Sequence, residues 1–226
     1  MKKRVFYREI AYIFAIIFVA FGAAFTELAN FGMSMVVAPA YILHLKLVEF
    51  LPWFTFGVAE YTVCTVLLVL MIIVIRKFKV SYLFSFITAI LYGTCLDGAI
   101  FLLSFLPSDL LALRIVWFII GTVICATGVS FYFHTYISPP PYELIVKEIS
   151  GEFKLDINKT KITYDVSSTV VAIALSFIFF GLFNFRGIGI GTVILAVING
   201  LLIGTISKIF ERFFEFKDKF NFAKYF

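Results

Sequence analysis

Charge is scarce in this chain. Only 15% of its 226 residues are Asp, Glu, Lys or Arg, against 62% hydrophobic residues and a mean hydropathy of +1.04. A soluble domain of this length cannot bury so much apolar surface, so a water-soluble globule is excluded. Cysteine is nearly absent as well. Cys64, Cys95 and Cys125 all fall inside apolar stretches, an odd number with no CxxC pair, which argues against a disulfide framework and a zinc site and leaves them as small packing residues. There is no HExxH, GxSxG or paired catalytic Asp motif, so no enzyme, metal or cofactor is expected. "GIGIG", Gly187 to Gly191, lacks a following GK[ST] and a preceding strand, which argues against a phosphate loop. No basic stripe interleaved with aromatics stands on a soluble module, so nucleic acid is not an expected partner.

What the chain has is long apolar runs. A bilayer core about 30 Å thick takes roughly 20 apolar residues per helix. Six spans are expected, at about 9–29, 57–75, 80–105, 110–134, 164–183 and 187–207. Their continuous apolarity, without alternation, argues against an outer-membrane barrel. "MKKR" ahead of the first span is reminiscent of a secretory signal, but the run is too long for a signal core and Glu27 follows directly, which argues against cleavage.

The 19 Lys and Arg residues divide unevenly. Only Lys46, Arg114 and Arg186 fall on one side of these spans; all others, Lys159 and Lys161 among them, fall in the segments on the other. The positive-inside rule then makes both termini cytoplasmic, and the net charge of +5 reports topology rather than a polyanionic partner.

Weak internal repetition divides the chain into residues 1–106, 107–207 and a tail, 208–226. Gly22 in "FGAAF" matches Gly128 in "TGVSF", and Pro39 in "PAYIL" matches Pro141 in "PYELI". Glu60 in "VAEYTVCTVLL" matches Asp165 in "TYDVSSTVVAI", and Gly98 in "LYGTCLDG" matches Gly204 in "VINGLLIG". An odd number of spans per repeat gives the halves opposite orientation, as in many transporters. The expected fold is therefore all-α and polytopic: two inverted three-helix repeats, each with a short Pro-led segment. Pro39, and Pro139, Pro140 and Pro141, would break the chain ahead of these segments, proline suiting a first helical turn because its absent N–H has no partner there anyway. The segments either re-enter the membrane between spans or lie on its surface, with Lys147, Glu148 and Glu152 in water in the second case. "KIFERFFEFKDKFNFAKYF" reads as an amphipathic cytoplasmic helix.

The glycine-bearing first span, the Pro-x-x-(Leu/Ile) segments and "GIGIGTVILAVINGLLIG" resemble the bacterial YczE/YyaS/YitT-type membrane proteins. The resemblance covers nearly the whole chain and is strongest over 138–145 and 187–204. Those relatives often read Gly-Thr-x-Pro where this chain has "ISPPP". The resemblance implies a multi-pass protein of the bacterial plasma membrane and no particular site residue.

Ionisable groups within spans are functional candidates because burying them in lipid is costly. The candidates for binding a substrate or coupling ion are Glu27, Asp97, Tyr142, Glu143, Glu60 and Asp165. All the charged ones are acidic, which suits a proton, sodium ion or amine better than an anion. Glu60 and Asp165 are also read as opening their spans, where a carboxylate caps the helix. Asp97, flanked by Gly93 and Gly98, is read as shielded by close packing. Gly22, Gly128, Gly98, Gly200 and Gly204 are expected helix-packing positions, with Asn199 hydrogen-bonding across one interface. Three classes stay open. The first is an ion-coupled transporter or exporter of a small cationic or amine-bearing solute; the others are a lipid-handling protein and a non-transporting scaffold. The bilayer and a small solute or ion are the expected partners, and a homo-oligomer stays open.

Overall fold

A computed structural model describes residues 3–32, 34–181 and 188–220. Eight helices are seen among them. Six are long and apolar enough to span a membrane, which marks a multi-pass membrane protein: α1 (Arg8–Ala29), α3 (Phe56–Ile75), α4 (Ser81–Leu103), α5 (Leu111–Phe133), α7 (Ile157–Phe180) and α8 (Ile190–Phe213). The two short ones are α2 (Ala38–Leu47) and α6 (Pro141–Glu152), each with a proline in its first turn.

The central seam is α1 against α5. Small residues line it: Ala11, Ala15, Ala20, Gly22 and Ala24 on α1, Gly121, Ala126 and Gly128 on α5. A Cβ on Gly22 would collide with the Cys125 backbone, and one on Gly128 would come within 2.6 Å of the Val19 nitrogen. Backbones approach this closely only where side chains are absent, and in lipid such packing replaces the hydrophobic drive as the source of association. Around the seam, α4 packs on α1 and α8 on α5; α2 packs on α3 and α7, and α6 on α7 and α3. Helix α7 also runs along α8, with Gly200 set against Ile162 and Gly204 against Asn158. Helices α3 and α4 make no comparable contact.

The structure corrects several expectations. The fold is not purely α-helical: β1 (Arg4–Tyr7) pairs in parallel with β2 (Phe214–Lys217). The tail is therefore not one amphipathic helix. "FEFK" alternates with period 2, turning Phe214 and Phe216 onto Phe6, with ring centroids at 5.4 and 5.7 Å, and that pattern fits a strand better than a helix. The clasp is reinforced where the Glu9 carboxylate accepts the Phe220 N–H at 2.9 Å and the Tyr136 hydroxyl at 2.8 Å, and Arg8 meets Asp218 at 3.0 Å. Both ends of the described chain thus lie at one end of the bundle.

Helix α7 starts earlier than expected, at Ile157. Its cap is Asp156, which accepts the N–H groups of Asn158 and Lys159 at 3.0 and 2.9 Å, and α3 is capped by Thr55. Asp165 lies two turns into α7 and caps nothing; Glu60 caps nothing either. Gly98 has no heavy atom within 4 Å of where a Cβ would stand, so it is not a packing glycine in this conformation. Of "GIGIG", Gly187 lies outside the described residues, while Gly191 donates its N–H to Phe31 O at 2.9 Å.

Candidate functional site

Three prolines in succession remove three backbone donors, and their carbonyls still need partners. Helix α4 supplies them. Ser81, Ser85 and Thr88 recur on one face, all buried. The Ser85 hydroxyl donates to Pro139 O and the Thr88 hydroxyl to Ser138 O, each at 2.8 Å, while the Ser138 hydroxyl donates to Ser81 O at 2.8 Å. Pro140 then begins α6 by accepting the N–H groups of Glu143 and Leu144 at 3.0 and 2.9 Å. The strap so anchored buries the first half of α6, Pro141 to Val146, between α3, α4 and α7. The second half ties back by its charges: Glu148 meets Lys79 at 2.9 Å and Tyr82 at 2.6 Å, and Glu152 meets Lys77 at 2.7 Å. Of the two arrangements open from the sequence, a helix lying flat on a surface would leave Glu143 in water, and it is 7% exposed.

The approach to α2 is fixed in a comparable way, with Ser168 donating to Met35 O at 2.8 Å. Met35 and Val36 pack with Tyr142, Cys64 and Leu195 in one apolar cluster, so the starts of the two short helices converge.

Between them lies a cavity of about 370 Å³. Much of its wall is apolar, including Val19, Met35, Val36, Tyr92, Leu96 and Leu195. Its polar groups include Glu60 on α3, Tyr142 and Glu143 on α6, Lys161 on α7, Asn199 on α8 and Asp97 on α4. Lys161 is 1% exposed, its ammonium 2.8 Å from Asp165 and 3.7 Å from Glu143. Asp165 itself is 0% exposed. Glu60 Oε2, the Tyr142 hydroxyl and Asn199 Oδ1 are buried without a hydrogen bond of standard geometry among the described residues. A polar atom left in that condition typically costs about 1–3 kcal/mol, which makes such atoms informative when three border one cavity.

Of the six residues singled out from sequence, four line the cavity: Glu60, Asp97, Tyr142 and Glu143. Asp165 stands behind Lys161 rather than on the wall. Glu27 is exposed on α1 and absent from the lining, although its neighbour Thr26 contributes. Asp97 is exposed, not shielded, because Gly93 and Gly98 beside it have open space before them. Asn199 faces the cavity and also bridges α8 to α7, its side chain hydrogen-bonding to Asp165 while its Oδ1 is left over.

Lys161 is the residue that sequence reasoning misplaces. Read as a loop charge, it is a buried member of the site, and the cluster is not purely acidic. The i, i+4 spacing of Lys161 and Asp165 is a readable sign of a charge pair on one helical face. A span that begins at residue 164 hides it.

No groups of three or more His, Cys, Asp or Glu side chains suited to a metal occur among the described residues. Fold and site together define a six-span helical membrane protein with a polar-ended cavity at the convergence of two Pro-led short helices. The chain belongs to DUF6198, a family of unknown function, which matches residues 6–208. No curated protein and no solved structure matches it.

Proposed function

We propose that the protein is a secondary transporter or exporter of a small cationic or amine-bearing solute, bound in this cavity between two inverted halves. The observation that carries the reading is an excess of carboxylate over ammonium at the cavity: half-buried Glu60 with buried Glu143 and Asp165, against Lys161 among the described residues. Burying an unaccompanied carboxylate is costly, so a second carboxylate beside Glu143 calls for a proton or a cation. Exchange of one for the other supplies a coupling mechanism. The inverted arrangement is supported by the packing: α1 with α4 parallels α5 with α8, and α2 with α3 and α7 parallels α6 with α7 and α3. The Lys and Arg distribution supports cytoplasmic termini, and the motif resemblance a bacterial plasma membrane.

Uptake and efflux in proteoliposomes, against a panel of monovalent cations and amines with and without a pH gradient, tests the reading. Saturable movement of a panel member, lost in Glu143→Gln while the protein still folds, is expected. No movement above protein-free liposomes for any of them contradicts it. A lipid-handling protein is the second reading, favoured because Tyr61 and Asp97 line the cavity from helices α3 and α4, which do not pack together. Phospholipid scrambling in the same vesicles separates the two. The polar cavity weighs against a scaffold.

A further inference from the structure

The two carboxylates matched by the sequence repetition, Glu60 on α3 and Asp165 on α7, stand in different surroundings. Asp165 carries its own cation: Lys161, one helical turn earlier, places an ammonium on a four-carbon stem 2.8 Å from it. One turn before Glu60 the chain has Phe56, which also lines the cavity. Glu60 has no cationic partner among the described residues, and its Oε2 is buried without a hydrogen bond of standard geometry.

The geometry points to Glu60 as the binding site for a primary alkylammonium ligand, taking from solution the group that Lys161 supplies to Asp165 within the chain. This rests on the transport reading above and narrows its substrate class. Two further observations support it independently of the acidic cluster. Tyr142 and Asn199, 5% and 4% exposed, both line the cavity with an oxygen that lacks a hydrogen bond of standard geometry among the described residues, the Tyr142 hydroxyl lying beside Glu60. Glu60 Oε2 and Asn199 Oδ1 accept and do not donate, and the Tyr142 hydroxyl can accept. The group that suits Glu60 beside such oxygens brings several N–H donors, as R–NH₃⁺ does and a quaternary ammonium does not. A bare metal ion is disfavoured, since it needs its oxygens in one tight shell and these carboxylates do not form such a group. The apolar wall, with Met35, Val36 and Leu195, offers the alkyl body a dry surface.

Calorimetric binding of n-butylammonium to the full chain in nanodiscs tests this, with butyltrimethylammonium and sodium at equal ionic strength as comparisons. Saturable binding of n-butylammonium is expected, at least tenfold tighter than that of butyltrimethylammonium and not displaced by sodium. Glu60→Gln should weaken it at least tenfold with an unchanged melting temperature. Phe56→Lys should remove it by tethering an ammonium one turn before Glu60. Absence of butylammonium binding, equal affinity for the trimethyl analogue, or undiminished binding in Glu60→Gln would each overturn the assignment. Binding without transport would support the site and overturn the transport reading. Transport of another cation without butylammonium binding would leave that reading standing and overturn the site.

Discussion

Helices α7 and α8 close on one another; α3 and α4, their counterparts in the proposed repeat, do not. A Cβ on Gly204 would stand within 2.7 Å of the Asn158 side chain, whereas one on the matched Gly98 would face open space. Asp165 is paired and sealed, whereas Glu60 borders the cavity and lacks a cation. A glycine permits close packing without enforcing it, so the same small-residue face is used in one half and idle in the other. In an inverted-repeat transporter that is the expected signature of one end of a cycle: the pair that is apart now is the pair that closes when the other parts.

The strongest way to break the difference is to remove the charge that creates it. Lys161→Ala should leave Asp165 and Glu143 buried and unpaired, at a cost of about 3–5 kcal/mol in unfolding followed in detergent. Replacing the whole set together, Lys161→Met with Asp165→Leu and Glu143→Gln, should recover most of that loss. Equal damage from both variants would mean that burial of the pair is not what sustains this half.

Next come the matched glycines. Gly204→Leu should cost about 1–3 kcal/mol by overpacking against Asn158. Gly98→Leu should stay within about 0.5 kcal/mol of the parent, as a substitution into open space does. It should nevertheless stop transport, because it obstructs the closed form of α3 and α4. A Gly98→Leu protein that transports normally would show that these helices never close.

The smallest effect concerns the straps that hold α6 to the turn between α3 and α4. Lys77→Ala, which frees Glu152 at a partly exposed site, should cost less than about 1 kcal/mol and less still at high salt. A larger loss would make that turn a structural pivot rather than a surface tie.

The spans and the two short helices are legible in the sequence because hydropathy and proline act locally. Five of the six spans begin within one residue or, for α8, three residues of expectation. The exception is α7, where "NKTKITYD" carries two lysines that look like a loop when their neighbours in space are unknown. Only the tertiary packing of Glu143 against that helix shows why a lysine belongs inside. The Ser81, Ser85 and Thr88 face is present in the sequence at helical spacing, yet its purpose is set by a strap fifty or more residues away. The packing glycines illustrate the same limit. Nothing in "LYGTCLDG" says that Gly98 stands free while Gly204 is covered, because that depends on which helix packs against each.

Distances between spin labels test the exchange of the two helix pairs most directly. Label pairs at Val66 and Leu91, on α3 and α4, and at the matched positions Val171 and Val197, on α7 and α8, all stand on exposed sites. Measured by pulsed electron resonance in nanodiscs with and without saturating n-butylammonium, the first pair should gain a shorter population and the second a longer one, in equal proportion. Two distributions that stay single and unshifted, in protein that transports in proteoliposomes, would contradict the account.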